Sequence, residues 1–156
     1  MAIEIERKFL VNSNAFKEEA FNSYTIKQGF LNSNKERTVR VRLKKDKGYL
    51  TIKGKSTENG LSRFEWEKQI SKTEAEALLE LCESGIIDKI RYEINSGKHT
   101  FEVDEFFGDN KGLIIAEVEL KSENEDFVKP KWLAEEVTGD VKYYNSQLSK
   151  TPFTVW

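Results

Sequence analysis

Five pairs of like-charged residues stand two apart along this 156-residue chain: Glu4/Glu6, Arg40/Arg42, Glu65/Glu67, Lys89/Arg91 and Glu117/Glu119. In an extended strand that spacing sets both members of a pair on one face, with Cβ atoms roughly 6.5–7 Å apart. Carboxylates so placed hold a hard cation such as Mg2+ or Mn2+ through oxygen. Arginines and lysines so placed neutralise phosphate oxygens, arginine with a bidentate fork. If these faces close inward, they line a space with both signs of charge. Buried charge at that density is costly unless it is paired or holds a ligand. Polyphosphate with a divalent metal is the ligand that answers both signs.

The elements that carry the pairs read as strands. Alternation of period two recurs over residues 2–11, 24–34, 37–45, 48–56, 61–70, 87–95, 98–107 and 113–121. In the first segment Ile3, Ile5, Phe9 and Val11 alternate with Glu4, Glu6 and Lys8; in the third, Val39, Val41 and Leu43 alternate with Arg40, Arg42 and Lys44. Turn residues at Asp46-Lys47-Gly48, Glu58-Asn59-Gly60, Asn95-Ser96-Gly97 and residues 108–112 imply hairpins, hence antiparallel neighbours. Helices are predicted over residues 13–21, 73–84 and 131–138, with a short last one over 143–148. Thr73 with Glu76 reads as a capping box for the second, and Gly85 suits its C′ position. Pro130 opens the third and Gly139 stops it.

Eight antiparallel strands of this length favour closure, which removes exposed edges. The expected fold is α+β, mainly β: an eight-stranded closed antiparallel barrel with flanking helices. A barrel ordinarily turns its apolar face inward. Here the helices need an apolar surface to pack on, and the charged face is patterned strand after strand. Both features favour a polar interior, a tunnel.

Charged residues make up 33% of the chain, above the roughly 25% of ordinary domains, yet the net charge is only −2. The excess therefore has no global electrostatic purpose toward nucleic acid or anionic membrane. The length suits one domain, residues 1–156. Cys82 is the only cysteine and His99 the only histidine. That excludes an intramolecular disulfide, a Cys-rich zinc site, a His-pair metal site and a Ser-His-Asp triad. No apolar run approaches the ~20 residues of a membrane span, and Met-Ala-Ile-Glu-Ile-Glu is no leader peptide. A cytoplasmic protein, monomer or homodimer, is expected. Residues 48–56 nearly spell a phosphate-binding P-loop, but five residues separate the glycines, the middle is strand, and no helix follows.

Glu4-Ile5-Glu6-Arg7-Lys8 resembles the Glu-x-Glu-x-Lys signature of the CYTH, or triphosphate tunnel metalloenzyme, superfamily. The likeness continues through Gln28-Gly29-Phe30-Leu31, Arg40-Val41-Arg42, Leu50-Thr51-Ile52-Lys53-Gly54, Arg63-Phe64-Glu65-Trp66-Glu67, Lys89-Ile90-Arg91-Tyr92, Val103-Asp104 and Ala116-Glu117-Val118-Glu119. It is closest to the short single-domain bacterial type, often labelled putative adenylate cyclase. The resemblance implies an eight-stranded tunnel and metal-dependent hydrolysis of a triphosphate, inorganic triphosphate foremost. By position it implies Glu4, Glu6, Glu117 and Glu119 as ligands of Mg2+ or Mn2+. It assigns Lys8, Arg40, Arg42, Lys53, Arg63, Lys89 and Arg91 to the phosphates. Glu65 and Glu67 would hold a second cation or orient water, and Lys89 or Arg91 would stabilise the leaving diphosphate. Asp104 reads either as a metal ligand or as the partner of an interior arginine or lysine.

Two other functions stay open: a class IV-type adenylate cyclase and a non-catalytic polyphosphate-binding module. RNA 5′-end processing is disfavoured by the net charge. His99 is expected on the strand surface and Cys82 in the core under the second helix. Trp66, Trp132 and Trp156 are expected to pack, and Tyr143, Tyr144 and Asn145, which resemble a family C-terminal segment, to pack or close the tunnel end.

Overall fold

The period-two segments become eight strands in the computed structural model, which describes residues 2–156. They are β1 (Ala2–Val11), β2 (Asn22–Asn32), β3 (Arg37–Lys44), β4 (Lys47–Gly54), β5 (Ser62–Ile70), β6 (Ile87–Ser96), β7 (His99–Phe106) and β8 (Ile114–Glu119). Hydrogen bonding runs in the order β5-β4-β3-β2-β6-β7-β8-β1, and β1 pairs back onto β5. The closing register sets Glu4 opposite Arg63, while on the other edge of β1 Glu6 lies opposite Glu119 and Lys8 opposite Glu117. All these pairings are antiparallel, so the sheet is a closed barrel.

Two apolar patches of the outward face are covered, while Ile3, Ile52 and Phe64 stay exposed on it. The helix α1 (Phe16–Glu19) is a single turn, shorter than predicted, and sends Phe16 into a cluster with Phe9, Phe101, Val118 and Trp132. The helix α2 (Lys72–Glu80) lays Ala75 and Leu79 on Val41, with Leu43 and Leu50 beside them. Its capping box is Ser71 with Glu74, two residues ahead of the predicted Thr73/Glu76, and the helix stops at Glu80. Gly85 still needs its backbone freedom: its φ is +97°, and a Cβ there would sit 1.9 Å from the Ser149 carbonyl. Gly48 is not a turn residue. The β3–β4 hairpin turns on Lys45 and Asp46, and Gly48 lies under α2, where a Cβ would meet that of Ala75 at 2.7 Å.

The predicted helix over 131–138 is corrected to a strand, β9 (Leu133–Glu136). β5 pairs with β1 only through Ile5, so the same edge of β1 farther along has unpaired backbone groups. β9 fills it, with Phe9 opposite Glu136 and the Val137 amide donating to the Lys8 carbonyl. Backbone groups left without partners cost more than the local helix propensity gains.

The inner face is polar over most of the barrel and apolar at one end. Ile87, Phe106 and Ile115 share the inner parity of Lys89, Asp104 and Glu117, and they pack with Phe30, Val137, Tyr143 and Leu148. The last two come from a 3-10 turn (Val141–Tyr143) and from α3 (Asn145–Leu148), so the C-terminal segment plugs that end. Of the tryptophans, Trp132 is fully buried, Trp66 is half-buried and Trp156 is exposed with its ring edge on Tyr143. No helix among the described residues is long and apolar enough to cross a membrane.

Candidate functional site

Closing eight charged faces on one axis leaves a cavity of about 230 Å3 lined by eight basic side chains, seven acidic ones, four neutral polar ones and a single apolar one, Phe30. Every residue of the five sequence pairs lines it, together with Lys8, Lys53 and Arg63. Asp104 does not. It lies 1% exposed behind the lining, where Arg91 donates Nε to Oδ1 at 2.7 Å and Nη2 to Oδ2 at 2.9 Å, and Lys89 Nζ reaches Oδ2 at 2.8 Å. Its oxygens face those two cations, the pairing that the sequence offers as one of its two readings.

The cations divide by partner. Lys53 Nζ spans both Glu4 oxygens and lies 3.6 Å from Glu65. Arg63 Nε is 3.7 Å from Glu4. Arg40 donates to Thr51 Oγ1 at 3.2 Å and sits 3.7 Å from Glu67, which accepts from Thr51 at 2.8 Å. Lys8, Arg42 and Lys44 have no carboxylate partner among the described residues. Lys8 and Arg63 both lie over the Tyr144 ring, at 5.1 and 5.4 Å from its centre, so Tyr144 forms part of the tunnel wall.

Burial and like charge set the protonation of the acids. Burial opposes ionisation of Glu4, but Lys53 outweighs it and holds the carboxyl at about 2. Glu117 is likewise held at about 2, against burial, by Lys8 and a hydrogen bond shared with Glu6. Glu6 pays the difference: burial, then the charges of Glu117 and Glu4, push it well above the carboxylate range. Glu119 is also raised, by burial and by Glu4 and Glu102. Burial and the Glu4 charge push Glu65 up to about 7. Lys89 is pushed down to about 7 by burial, with Asp104 opposing.

The wall formed by β1 and β8 is where a divalent cation fits by donor chemistry. Glu4, Glu6, Glu117 and Glu119 offer only oxygen ligands, and the mutual repulsion that joins burial in raising Glu6 is what a bound cation would offset. As they stand, no three Asp, Glu, His or Cys side chains among the described residues converge at ligand spacing.

Lys44, Thr51, Glu102 and Asn145 also line the cavity and carry no expectation from the sequence pairs. Lys44 and Glu102 were legible as continuations, by two residues, of Arg42 and Asp104. Asn145 had no such signal. His99 is half-buried rather than on the surface, its Nε2 2.8 Å from Glu125. Cys82 packs under α2 with the other apolar residues, its Sγ directed at the Leu78 carbonyl.

The CYTH domain family matches residues 2–152. The chain is 49% identical over 154 residues to an inorganic triphosphatase of Acetivibrio thermocellus, covering 98% of this chain and 97% of the relative. It is 37% identical over 153 residues to an inorganic triphosphatase of Nitrosomonas europaea, covering 94% and 96% respectively. A crystal structure of an inorganic triphosphatase superposes with a TM-score of 0.63 at 32% identity, over 96% of this chain and 95% of that one.

Proposed function

Since this chain belongs to the CYTH domain family, we propose that it is a divalent-metal-dependent enzyme that hydrolyses inorganic triphosphate to phosphate and diphosphate. The observation that carries this reading is the lining, charged on fifteen side chains of twenty and apolar on one. A linear triphosphate is anionic along its whole length and has no apolar face to bury. A purine needs a face that this cavity does not offer, which disfavours the cyclase alternative. The single free cysteine accords with a reducing, cytoplasmic setting.

In this reading Lys8, Arg40, Arg42, Lys53, Arg63, Lys89 and Arg91 bind phosphate oxygens. Lys8 and Arg42 can do so without giving up an ion pair. Glu6, Glu117 and Glu119, with Glu4 beside them, would hold Mg2+ or Mn2+. When bound, the cation offsets charge on the phosphate oxygens and acidifies water. Glu65, poised near neutrality, takes the proton of the attacking water as its oxygen bonds to the terminal phosphorus. Glu67 is oriented by Thr51 beside that water. The bridging P–O bond breaks, and Lys89 and Arg91 balance the charge that appears on the diphosphate.

The test is phosphate release from tripolyphosphate, ATP and thiamine triphosphate, with and without Mg2+ or Mn2+. Metal-dependent release that favours tripolyphosphate and falls by about a hundredfold or more in Glu117→Gln is expected. Cyclic AMP and diphosphate from ATP would replace the reading with the cyclase. Binding of tripolyphosphate without turnover would leave a binding module.

A further inference from the structure

Asn145 begins α3 at the plugged end of the cavity, and its carboxamide belongs to a relay of fixed polarity. Arg42 Nε donates to Gln28 Oε1 at 3.0 Å. Gln28 Nε2 donates to Asn145 Oδ1 at 2.9 Å, and Lys89 Nζ donates to the same oxygen at 3.0 Å. Guanidinium and ammonium groups only donate. Turning the Gln28 amide over would set its NH2 against Arg42. Turning Asn145 over would set its NH2 against Lys89. One orientation of both amides satisfies the two cations, so the assignment does not rest on choosing a flip.

That orientation leaves Asn145 Nδ2 as the open end. No acceptor among the described residues takes its hydrogens, whereas Oδ1 takes two donors. The atom is not among the buried polar atoms sealed without a partner, which are Tyr24 Oη, Arg40 Nε and Arg63 Nη1. The residue borders the charged cavity, next to Lys89 and Arg42.

We propose that Asn145 is a substrate-binding residue whose Nδ2 donates to a non-bridging oxygen of the phosphate lying between Arg42 and Lys89. The identity of that anion rests on the triphosphatase reading above; the donor itself is an addition to it. An amide supplies a hydrogen bond at a point where a third cation would repel the two already there. Because Oδ1 is pinned by Lys89 and Gln28, the donor is aimed before substrate arrives, and little side-chain freedom is lost on binding.

The experiment compares Asn145→Asp with Asn145→Ala. The aspartate is isosteric and keeps an oxygen for Lys89 and Gln28, but it turns the donor into a charged acceptor. KM and kcat are measured with tripolyphosphate and Mg2+, Kd with tripolyphosphate alone by calorimetry, and Tm for each variant. Asn145→Asp is expected to raise KM and Kd about ten- to a hundredfold. Asn145→Ala should raise them less, with Tm close to wild type in Asn145→Asp and lower in Asn145→Ala, where the buried Gln28 amide loses its acceptor. Values for Asn145→Asp within about threefold of wild type would overturn the proposal. So would equal losses in the two variants accompanied by a large fall in Tm, which mark a structural role. If wild type binds tripolyphosphate without hydrolysing it, the triphosphatase reading fails, and the Kd comparison still decides the role of Asn145.

Discussion

The Lys53 ammonium lies 2.9 Å from one carboxylate oxygen of Glu4 and 3.0 Å from the other. The pair spans β5, which separates β4 from β1, and both side chains are about nine-tenths buried. Removing the cation strands a carboxylate in a site where burial alone would raise it. Lys53→Ala should therefore cost about 3–5 kcal/mol of folding stability at neutral pH, read by denaturant unfolding. The deficit has a pH signature. The wild-type Glu4 carboxyl, depressed to about 2, adds stability above the ordinary carboxylate value that fades as pH falls through 2. The difference between wild type and variant should thus narrow as pH falls from about 4.5 toward 2. A deficit independent of pH would mean that packing, not charge, is what Lys53 supplies.

The inner-face pairs were legible because alternation of period two is a local property of each strand. Glu4/Glu6 and Arg40/Arg42 face the cavity for the reason read from sequence. What local pattern does not contain is which strands become neighbours. The role of Asp104 follows from its register opposite Arg91, and the strand at Leu133–Glu136 follows from the edge that β5 leaves open on β1. Asn145 arrives from a separate C-terminal element, so no strand periodicity points to it. The sequence also marks the closed end of the barrel. Lys8 is followed at two residues by Leu10, Gln28 by Phe30 and Asp104 by Phe106, while Ile87 and Ile115 precede Lys89 and Glu117. These five inner faces turn apolar at the same end, and that is the plug.

Two groups titrate close together in the free protein. Glu65 is pushed up to about 7 by burial and Glu4, and Lys89 is pushed down to about 7 by burial. A base is active when ionised and a phosphate-binding ammonium when protonated. kcat/KM for tripolyphosphate should therefore rise with pH through Glu65, fall through Lys89, and peak near 7. Glu65→Gln should remove the acid limb and lower kcat by roughly a hundred- to ten-thousandfold. Bound phosphate favours the protonated ammonium, so the basic limb of kcat should lie above that of kcat/KM. A rate that ignores pH between 6 and 8 would remove Glu65 from the role of base.

Glu6 carries the strain of the acidic wall, and its removal separates folding from function. Its carboxyl lies well above the unfolded value, so in the folded protein it holds a proton that the unfolded chain has already released. For a raised carboxyl the sign is fixed: its stabilising share is present at low pH and is lost as pH rises through the folded value. Metal-free wild type should accordingly lose stability toward pH 8, while Glu6→Gln, whose amide can donate to Glu117 at any pH, should not. At pH 8 with chelator the variant should melt higher than wild type. Adding Mg2+ or Mn2+ should reverse the order, because a cation bound by the native state stabilises it in proportion to ln(1 + [L]/Kd) and the variant has lost one of the oxygens that hold it. Melting curves of the two proteins, with chelator and with metal, measure both halves. A variant that melts lower than wild type without metal would show that Glu6 is held by partners favourable enough to outweigh Glu117 and Glu4. An equal shift in both proteins on adding metal would place the cation elsewhere than on the wall of β1 and β8.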